Sequence, residues 1–342
     1  MDTTIKCSQS SISKPPEENY EYYIEEQVKF GDKFHNRYII RCKLGWGNFS
    51  NVWMCWDERD QRRVALKITK TAIQINDDAL IEIKLLEHIQ RCTNDASHKG
   101  RIVQLLDKFM ISGVNGTHVC SVFEIAGVDL LKLLNRSGNP GIPLNTVKSI
   151  MRQVLEALDY LHTTCGIIHT DIKLENICIV ENPSCSGRKN DPLIATIADF
   201  GSACLVDLHF CPVIQSSPYR SPEVLLGLEY GPSADIWSAA CMAFVLATGN
   251  FLFPSHCGDR LEAENHLARI VKVLGDFSVE SSREIFTLEG KLRGIFEVLT
   301  RNCDWDYTDA FQFAEFLLPM LAIDPNKRSS AKDILKHPWL KN

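Results

Sequence analysis

Residues 167–180, IIHTDIKLENICIV, limit what this chain can fold into more than any other segment. Two apolar runs enclose a polar cluster, and short β-branched runs of this kind are typical of buried strands. Asp171, Lys173 and Asn176 lie in the cluster at spacings of two and three residues. An Asp-Phe-Gly triplet at 199–201 follows another apolar run, 23 residues after Asn176. The sequence therefore predicts a loop that presents a carboxylate, an ammonium group and an amide between two buried segments.

The spacing of this cluster resembles the H-x-D-x-K-x-x-N catalytic loop of the protein kinases, with Thr170 where many kinases carry arginine. An isolated DFG triplet is common in chains of this size. Here Ser-Pro-Glu at 221–223 follows the first residue of the triplet by 22 to 24 residues and resembles the kinase A-P-E motif. The resemblance extends from about residue 38 to residue 340 and implies a protein kinase that uses ATP and Mg²⁺.

The same resemblance implies a role for each polar residue of these motifs. Asp171 would accept the proton of the substrate hydroxyl, and Lys173 would face the transferred phosphoryl group. Asn176 and Asp199 would bind Mg²⁺. Asp235, in the segment ADIWS, resembles a buried aspartate that accepts hydrogen bonds from the catalytic-loop backbone.

Four further residues are expected to stabilise the fold rather than to take part in the chemistry. Glu223 and Arg328 resemble a buried ion pair that closes the helical lobe. His169 and Phe200 are predicted to be packing residues of the core.

A glycine-containing turn precedes these motifs, in residues 44–53, LGWGNFSNVW. Gly45 and Gly47 let the backbone approach phosphate groups closely, although a lone GxG also fits an ordinary hairpin turn. Lys67 ends an apolar run 22 residues after Gly45, and a buried lysine is costly unless a carboxylate or phosphate pairs with it. Glu82, fifteen residues further on, is the predicted partner; the alternative is a solvated helix face.

With the kinase resemblance, the glycine turn and Lys67 are expected to hold the ATP phosphates, and Glu82 is expected to hold Lys67. Adenine would meet backbone groups just past Phe123. The predicted nucleotide-binding residues are Leu44, Gly45, Trp46, Gly47, Asn48, Phe49, Ser50, Asn51, Val52, Ala65, Lys67, Glu124 and Ala126.

The pattern along the chain predicts an α+β fold with two lobes. Residues 1–30 are rich in Ser, Pro, Glu and Tyr, which is typical of a mobile tail. A kinase domain is predicted at 38–340, with a small β-rich N-lobe at 38–124 and a larger helical C-lobe at 125–340. Strands are predicted at 38–44, 51–57, 63–69, 103–111 and 118–124. Helices are predicted at 77–90, 144–162, 235–248, 263–274, 310–321 and 331–335, and a polar loop at 181–192.

Within the protein kinases, the chain resembles the SR-protein kinase family of the CMGC group, which phosphorylates arginine–serine-rich splicing factors. The resemblance is carried by LGWGNFSNVW (44–53), ALIEIKLLEHI (79–89), HTDIKLEN (169–176), SPYRSPEVLLG (217–227), ADIWSAACMAFVLATGNFLF (234–253), GIFEVL (294–299) and FLLPML (316–321). It implies a basic, Arg-Ser-rich protein substrate that binds acidic groups of the helical lobe.

Several positions depart from that family. DFGSA at 199–203 looks more like the Clk-type splicing kinases, and the family's long spacer after the catalytic loop is short here, about 181–193. Asn250, Asn265 and Lys272 stand where acidic residues of a substrate-docking groove are expected. Nearby acidic residues that could compensate are Asp259, Glu262 and Glu264. The alternatives are therefore a Clk-like or other CMGC kinase with another peptide specificity and, against the complete motif set, a pseudokinase scaffold.

Regulation by loop phosphorylation is not expected, because Thr170 places no positive charge beside the catalytic aspartate. Ser216 and Ser217 are the only hydroxyl-bearing residues between Ala203 and Pro218, and neither is needed as a switch. The sequence therefore predicts constitutive activity, with little effect from replacing either serine.

Composition excludes several other classes of protein. The net charge is −6, which argues against a nucleic-acid binder that works by bulk electrostatics. The longest apolar run has nine residues, too few for a membrane span, and the first thirty residues contain no secretory signal. Thirteen cysteines without a CxxC pair indicate reduced thiols. We expect a soluble monomer in the cytoplasm and nucleus, with no direct nucleic-acid or membrane partner.

Overall fold

The structure is a computed structural model, and it describes residues 28–47, 50–70, 73–92, 100–113, 116–138, 141–180, 193–255, 262–275 and 288–341. Most of the tail predicted at 1–30, and the polar loop predicted at 181–192, lie outside the described residues. Within the ranges just given, no helix is both long enough and apolar enough to cross a membrane.

An antiparallel sheet and one long helix form the small lobe. Its strands are β1 (Lys33–Phe34), β2 (Tyr38–Trp46), β3 (Ser50–Asp57), β4 (Arg62–Thr69), β5 (Leu105–Gly113) and β6 (Gly116–Glu124), in the sheet order β1-β2-β3-β4-β6-β5. Helix α1 (Ile73–Cys92) packs against β5 and β6. The sheet curls enough for the Tyr38 ring of β2 to stack on the Phe109 ring of β5, with ring centroids 5.7 Å apart.

The larger lobe is mainly helical. Its helices are α2 (Leu130–Ser137), α3 (Leu144–Asp159), α4 (Pro222–Leu225), α5 (Ser233–Thr248), α6 (Glu262–Leu274), α7 (Leu288–Asn302), α8 (Tyr307–Leu317) and α9 (Ala331–Ile334). Five short strands lie between these helices: β7 (Val128–Asp129), β8 (Ile167–Ile168), β9 (Ile177–Val180), β10 (Ile194–Ile197) and β11 (Cys204–Leu205). β9 pairs with β7 and β10, and β8 pairs with β11, so the polar cluster lies between paired strands.

Helix α5 is the centre of the large lobe. Its sequence, SADIWSAACMAFVLAT, is apolar on nearly every face, which is typical of a helix surrounded by other elements. Every residue from Ala234 to Thr248 is buried. Gly141 packs on its last turn with φ +107°, and a Cβ there would collide with the Ala247 carbonyl group. The helix therefore provides a rigid base for the loops above it.

The two-lobed α+β fold is confirmed, and most predicted elements are present with ends shifted by a few residues. Sequence patterns did not predict α2 or α7. Helix α2 is only eight residues long. Helix α7 contains two glycines, which weaken a helical signal. One of them, Gly294, lets α7 approach α6 so closely that a Cβ would collide with the Val273 carbonyl group.

Candidate active site

The Lys67 ammonium group lies between two carboxylates. β4 carries Lys67, and its Nζ donates to Glu82 of α1, at 2.9 Å from Oε1 and 3.0 Å from Oε2. The third contact is with Asp199 Oδ1, also at 3.0 Å. Burial opposes the charge on Lys67, but the charges of Glu82 and Asp199 outweigh it and raise the Lys67 pKa. The structure thus brings together the predicted lysine and its predicted partner.

Asp199 begins the DFG triplet in an uncommon backbone conformation. Its φ of 62° lies in the left-handed region, which residues other than glycine seldom adopt. The charge of Lys67 is the main reason that the pKa of Asp199 falls to about 2, although burial opposes the shift. Asp199 is therefore a carboxylate at neutral pH.

Asp235, on the first turn of α5, fixes the start of the catalytic loop. Its Oδ2 accepts from the His169 backbone N–H and its Oδ1 from the Thr170 N–H, each at 2.8 Å. His162 Nε2 lies 2.8 Å from the same Oδ2. Such donors are required because an unpaired carboxylate in the core is very costly. The role of Asp235 follows the resemblance, whereas no sequence signal pointed to His162.

The imidazole of His169 connects the catalytic loop to the residue before the DFG triplet. Its Nδ1 accepts from the Asp171 N–H at 3.3 Å, so Nε2 carries the proton and donates to the Ala198 carbonyl oxygen at 3.1 Å. The ring also meets Phe200 edge-on, with centroids 4.9 Å apart. The prediction that His169 only packs is therefore incomplete, because it also positions two backbone segments.

Thr170 adopts a φ of 69°, an outlier for a β-branched residue. Its side chain is buried, and its hydroxyl donates to the Ser202 carbonyl oxygen at 2.8 Å. Together with the Thr170 N–H bond to Asp235, this contact holds the strained residue in place and links the catalytic loop to the segment after DFG.

Asp171 is the centre of a polar cluster. The Asn176 side-chain amide donates to Asp171 Oδ2 at 3.1 Å, and Lys173 Nζ lies 2.6 Å from the same oxygen. The Ser216 hydroxyl donates to Asp171 Oδ1 at 2.8 Å and accepts from Lys173 at 3.0 Å. The expectation that Ser216 is dispensable does not fit this geometry, because its hydroxyl contacts both charged groups. The only sequence feature that could have pointed to Ser216 as a site residue was its position between the DFG and Ser-Pro-Glu motifs.

Asn176 and Asp199 offer oxygen ligands that suit Mg²⁺. The Ala198 N–H donates to the Asn176 carbonyl oxygen at 2.8 Å, which places the two candidate ligands side by side. Asn176 uses its amide nitrogen on Asp171, so its Oδ1 is the atom that could bind a metal. No group of three or more His, Cys, Asp and Glu residues in the described ranges could hold a metal by itself. Mg²⁺, however, completes its shell with phosphate oxygens and water, and these two residues fit that arrangement.

The predicted phosphate loop is the turn between β2 and β3. Gly47 N–H donates to the Ser50 carbonyl oxygen at 2.8 Å and closes the turn, whereas Asn48 and Phe49 lie outside the described residues. Trp46 is three-quarters exposed. The other predicted loop residues lie on the two strands, with Leu44 exposed, Gly45 paired with Val52, and Ser50 and Asn51 buried.

Apolar side chains line the approach to the predicted adenine site. Val52 and Ala65 pack in one hydrophobic cluster with Phe123. Glu124 ends β6 directly after Phe123, and Ala126 follows two residues later. The structure therefore places the predicted backbone contacts at the connection between the two lobes.

A buried ion pair joins two distant parts of the large lobe. Arg328 donates from Nη1 and Nη2 to the two carboxylate oxygens of Glu223, at 2.8 and 2.9 Å. Arg328 Nη1 also donates to the Ser233 carbonyl oxygen at 2.7 Å. These bonds tie α4 to the first turn of α5, as the resemblance implies for this pair.

Comparison with known proteins shows which family this chain resembles. The model of the protein kinase domain matches residues 38–340. The chain is 33% identical to SRSF protein kinase 3 of Homo sapiens, covering 92% of this chain and 88% of that protein. It is 36% identical to serine/threonine-protein kinase SRPK of Physarum polycephalum, with the same coverages. It is 32% identical to protein kinase dsk1 of Schizosaccharomyces pombe, covering 95% and 84%.

The family model covers nearly the whole described fold, and the structure places a Lys–Glu–Asp ion-pair system beside a polar catalytic loop. These two observations define the class of protein: this chain belongs to the protein kinase family. The chain is also about one-third identical to several relatives over most of their length, and this evidence is more specific than the match to the kinase domain. The chain belongs to the SRSF protein kinase family, and it is an ATP-dependent serine/threonine kinase.

Proposed function

We propose that this kinase transfers the γ-phosphate of ATP to serine in basic, arginine–serine-rich proteins, with splicing factors as the substrate class. The observation that carries the chemistry is the Asp171 cluster, in which three side chains orient one carboxylate. The substrate class is supported by the names of the relatives, SRSF protein kinase 3 among them. We also propose a monomer in the cytoplasm and nucleus that binds neither nucleic acid nor membranes directly.

Each polar residue has a distinct task in this proposal. Asp171 orients the serine hydroxyl and accepts its proton, and Asn176 and Ser216 hold the carboxylate in position. Lys173 lies between Asp171 and Ser216, where its charge would face the reacting phosphoryl group. When bound, ATP supplies the phosphoryl group and Mg²⁺ neutralises the phosphate charge. Lys67, held by Glu82, is the residue that would hold the phosphates of the nucleotide.

The enzyme is proposed to be active without loop phosphorylation. In many kinases an arginine beside the catalytic aspartate needs a phosphate to neutralise it, but Thr170 is uncharged. Its hydroxyl bond to the Ser202 carbonyl supplies a neutral contact between the catalytic loop and the activation segment. Treatment with phosphatase should leave the rate unchanged for protein expressed in bacteria. A tenfold or greater loss would contradict this part of the proposal.

The surface expected to dock a basic substrate carries fewer acidic residues in this chain than the family resemblance leads us to expect. The Asn250 side chain donates to the Thr248 carbonyl oxygen at 3.1 Å and so caps the last turn of α5, where a carboxylate would meet the negative end of the helix dipole. Asn265 and Lys272 lie exposed on α6. Glu264, an acidic residue next to Asn265 on the same helix, is also exposed.

Peptide phosphorylation tests the substrate assignment. We expect an arginine–serine peptide to be phosphorylated much faster than a Ser-Pro peptide, with an affinity that falls between about 50 and 300 mM salt because exposed charge pairs are screened. Asp171→Asn protein is the control for contaminating kinases. Preference for the Ser-Pro peptide, or a flat salt response, would instead support a Clk-like or other CMGC specificity.

A further inference from the structure

A second cluster of reactive side chains lies away from the active site, where the end of α1 meets the large lobe. After α3 the chain continues as one turn of π-helix (Tyr160–Cys165). The Tyr160 hydroxyl donates to the Ile89 carbonyl oxygen of α1 at 3.0 Å. His88 Nε2 lies 3.0 Å from the Cys165 carbonyl oxygen and 3.3 Å from Cys92 Sγ. The Cys92 thiol of α1 and the Cys165 backbone carbonyl of the π-turn therefore meet at one imidazole nitrogen.

The two thiols of this cluster are neighbours in different environments. Cys92 is half-buried, whereas Cys165 is 4% exposed. The Cys92 sulfur and the Cys165 carbonyl oxygen contact the same imidazole nitrogen of His88, so the two cysteines are immediate neighbours. Burial is the main reason that the pKa of the Cys165 thiol rises to about 12. Cys165 is thus a poor first nucleophile, and Cys92 is the thiol that an oxidant can reach.

His88 is placed to favour reaction at Cys92. Its Nε2 faces a carbonyl oxygen, so this nitrogen carries the proton. The same nitrogen lies 3.3 Å from Cys92 Sγ, so its N–H is shared between the carbonyl oxygen and the sulfur. His88 is in this respect a positioning residue for the sulfur.

We propose that Cys92 and Cys165 form a reversible disulfide when the enzyme meets hydrogen peroxide. The Cys92 thiolate attacks one peroxide oxygen, the O–O bond breaks, and the released hydroxide takes up a proton to give water and Cys92 sulfenic acid. The Cys165 sulfur then attacks the Cys92 sulfur, the S–S bond forms, and the hydroxyl group leaves as water with the Cys165 proton. Two thiols are oxidised and one peroxide is reduced to two waters.

The bridge would tie the helix that carries Glu82 to the large lobe. It forms in the arrangement in which Lys67 and Glu82 are already paired, so it holds α1 in that position. A covalent link between residues 92 and 165 also restricts the unfolded chain. We therefore expect the melting temperature of the oxidised protein to rise by about 3–8 °C.

The test uses the full chain, treated with hydrogen peroxide and then alkylated. Mass spectrometry of peptides should show Cys92 linked to Cys165, with the loss of two hydrogens, and dithiothreitol should reverse both the link and the rise in melting temperature. Cys92→Ser should abolish both effects. The double variant Cys42→Ser/Cys211→Ser removes two exposed thiols elsewhere and should retain both. His88→Gln should form the link more slowly.

Two results would overturn the proposal. One is Cys92 recovered as sulfinic acid or as an alkylated thiol while Cys165 remains free in peroxide-treated wild-type protein. The other is an equal rise in melting temperature in Cys92→Ser. Neither readout depends on which substrate the kinase prefers, so this inference and the proposed function fail separately.

Discussion

Replacing Ser216 with alanine tests the geometry of the active site most directly. The hydroxyl donates to Asp171 Oδ1 at 2.8 Å and accepts from Lys173 Nζ at 3.0 Å, so the change removes a hydrogen bond from each of two charged groups. A hydrogen bond to a charged group contributes about 1.5–3 kcal/mol. If one such bond is needed to orient Asp171 in the transition state, kcat should fall by about 10- to 150-fold. Initial rates with a saturating arginine–serine peptide measure this loss.

Two control variants separate orientation from folding. Ser216→Thr keeps a hydroxyl at the same position and should restore most of the rate. Ser217→Ala removes the neighbouring hydroxyl and should leave kcat within about twofold, because Ser216 is the serine whose hydroxyl bonds to the carboxylate of the base. All three variants should melt near the wild-type temperature. A Ser216→Ala enzyme with wild-type kcat would refute the argument and restore the sequence-based expectation that this serine is dispensable.

Three other changes have defined outcomes. Asp171→Asn should fold normally and lose about 10²–10⁴-fold in kcat, measured with the same peptide, because the base is removed; near-wild-type rates would show that another group takes the proton. Arg328→Met should lower the free energy of unfolding in urea by about 3–5 kcal/mol, because it leaves the Glu223 carboxylate buried without a partner; an unchanged urea midpoint would contradict this. In carboxyl NMR titrations, Lys67→Met should raise the pKa of Asp199 from about 2 toward its ordinary 3.8. Since the wild-type pKa is depressed, the stability from this pair is complete above about pH 4 and is lost as the pH falls toward 2; identical titrations in both proteins would exclude Lys67 as the cause.

Much of the fold could be predicted because its signals are local. The alternation of β-branched residues marks strands, and the spacing of apolar residues marks helices, since each pattern reports which face is buried. Helix α5 is apolar on nearly all faces and could only be central. Helix α7 escaped prediction because its glycines weaken the local signal, and only the close approach of α7 to α6 explains Gly294.

The sequence alone determined which class of site this is. The chemistry requires residues such as Asp171 and Asn176 within one loop, and residues of one loop keep a fixed spacing along the chain that can be recognised in the sequence. Contacts between distant segments have no such spacing, because they depend on how folded elements pack against one another. Only the tertiary structure could place Ser216 on a carboxylate 45 residues away, or His162 on one 73 residues away. The same packing brings Cys92 of α1 beside Cys165 of the large lobe, a juxtaposition that cysteine spacing does not encode.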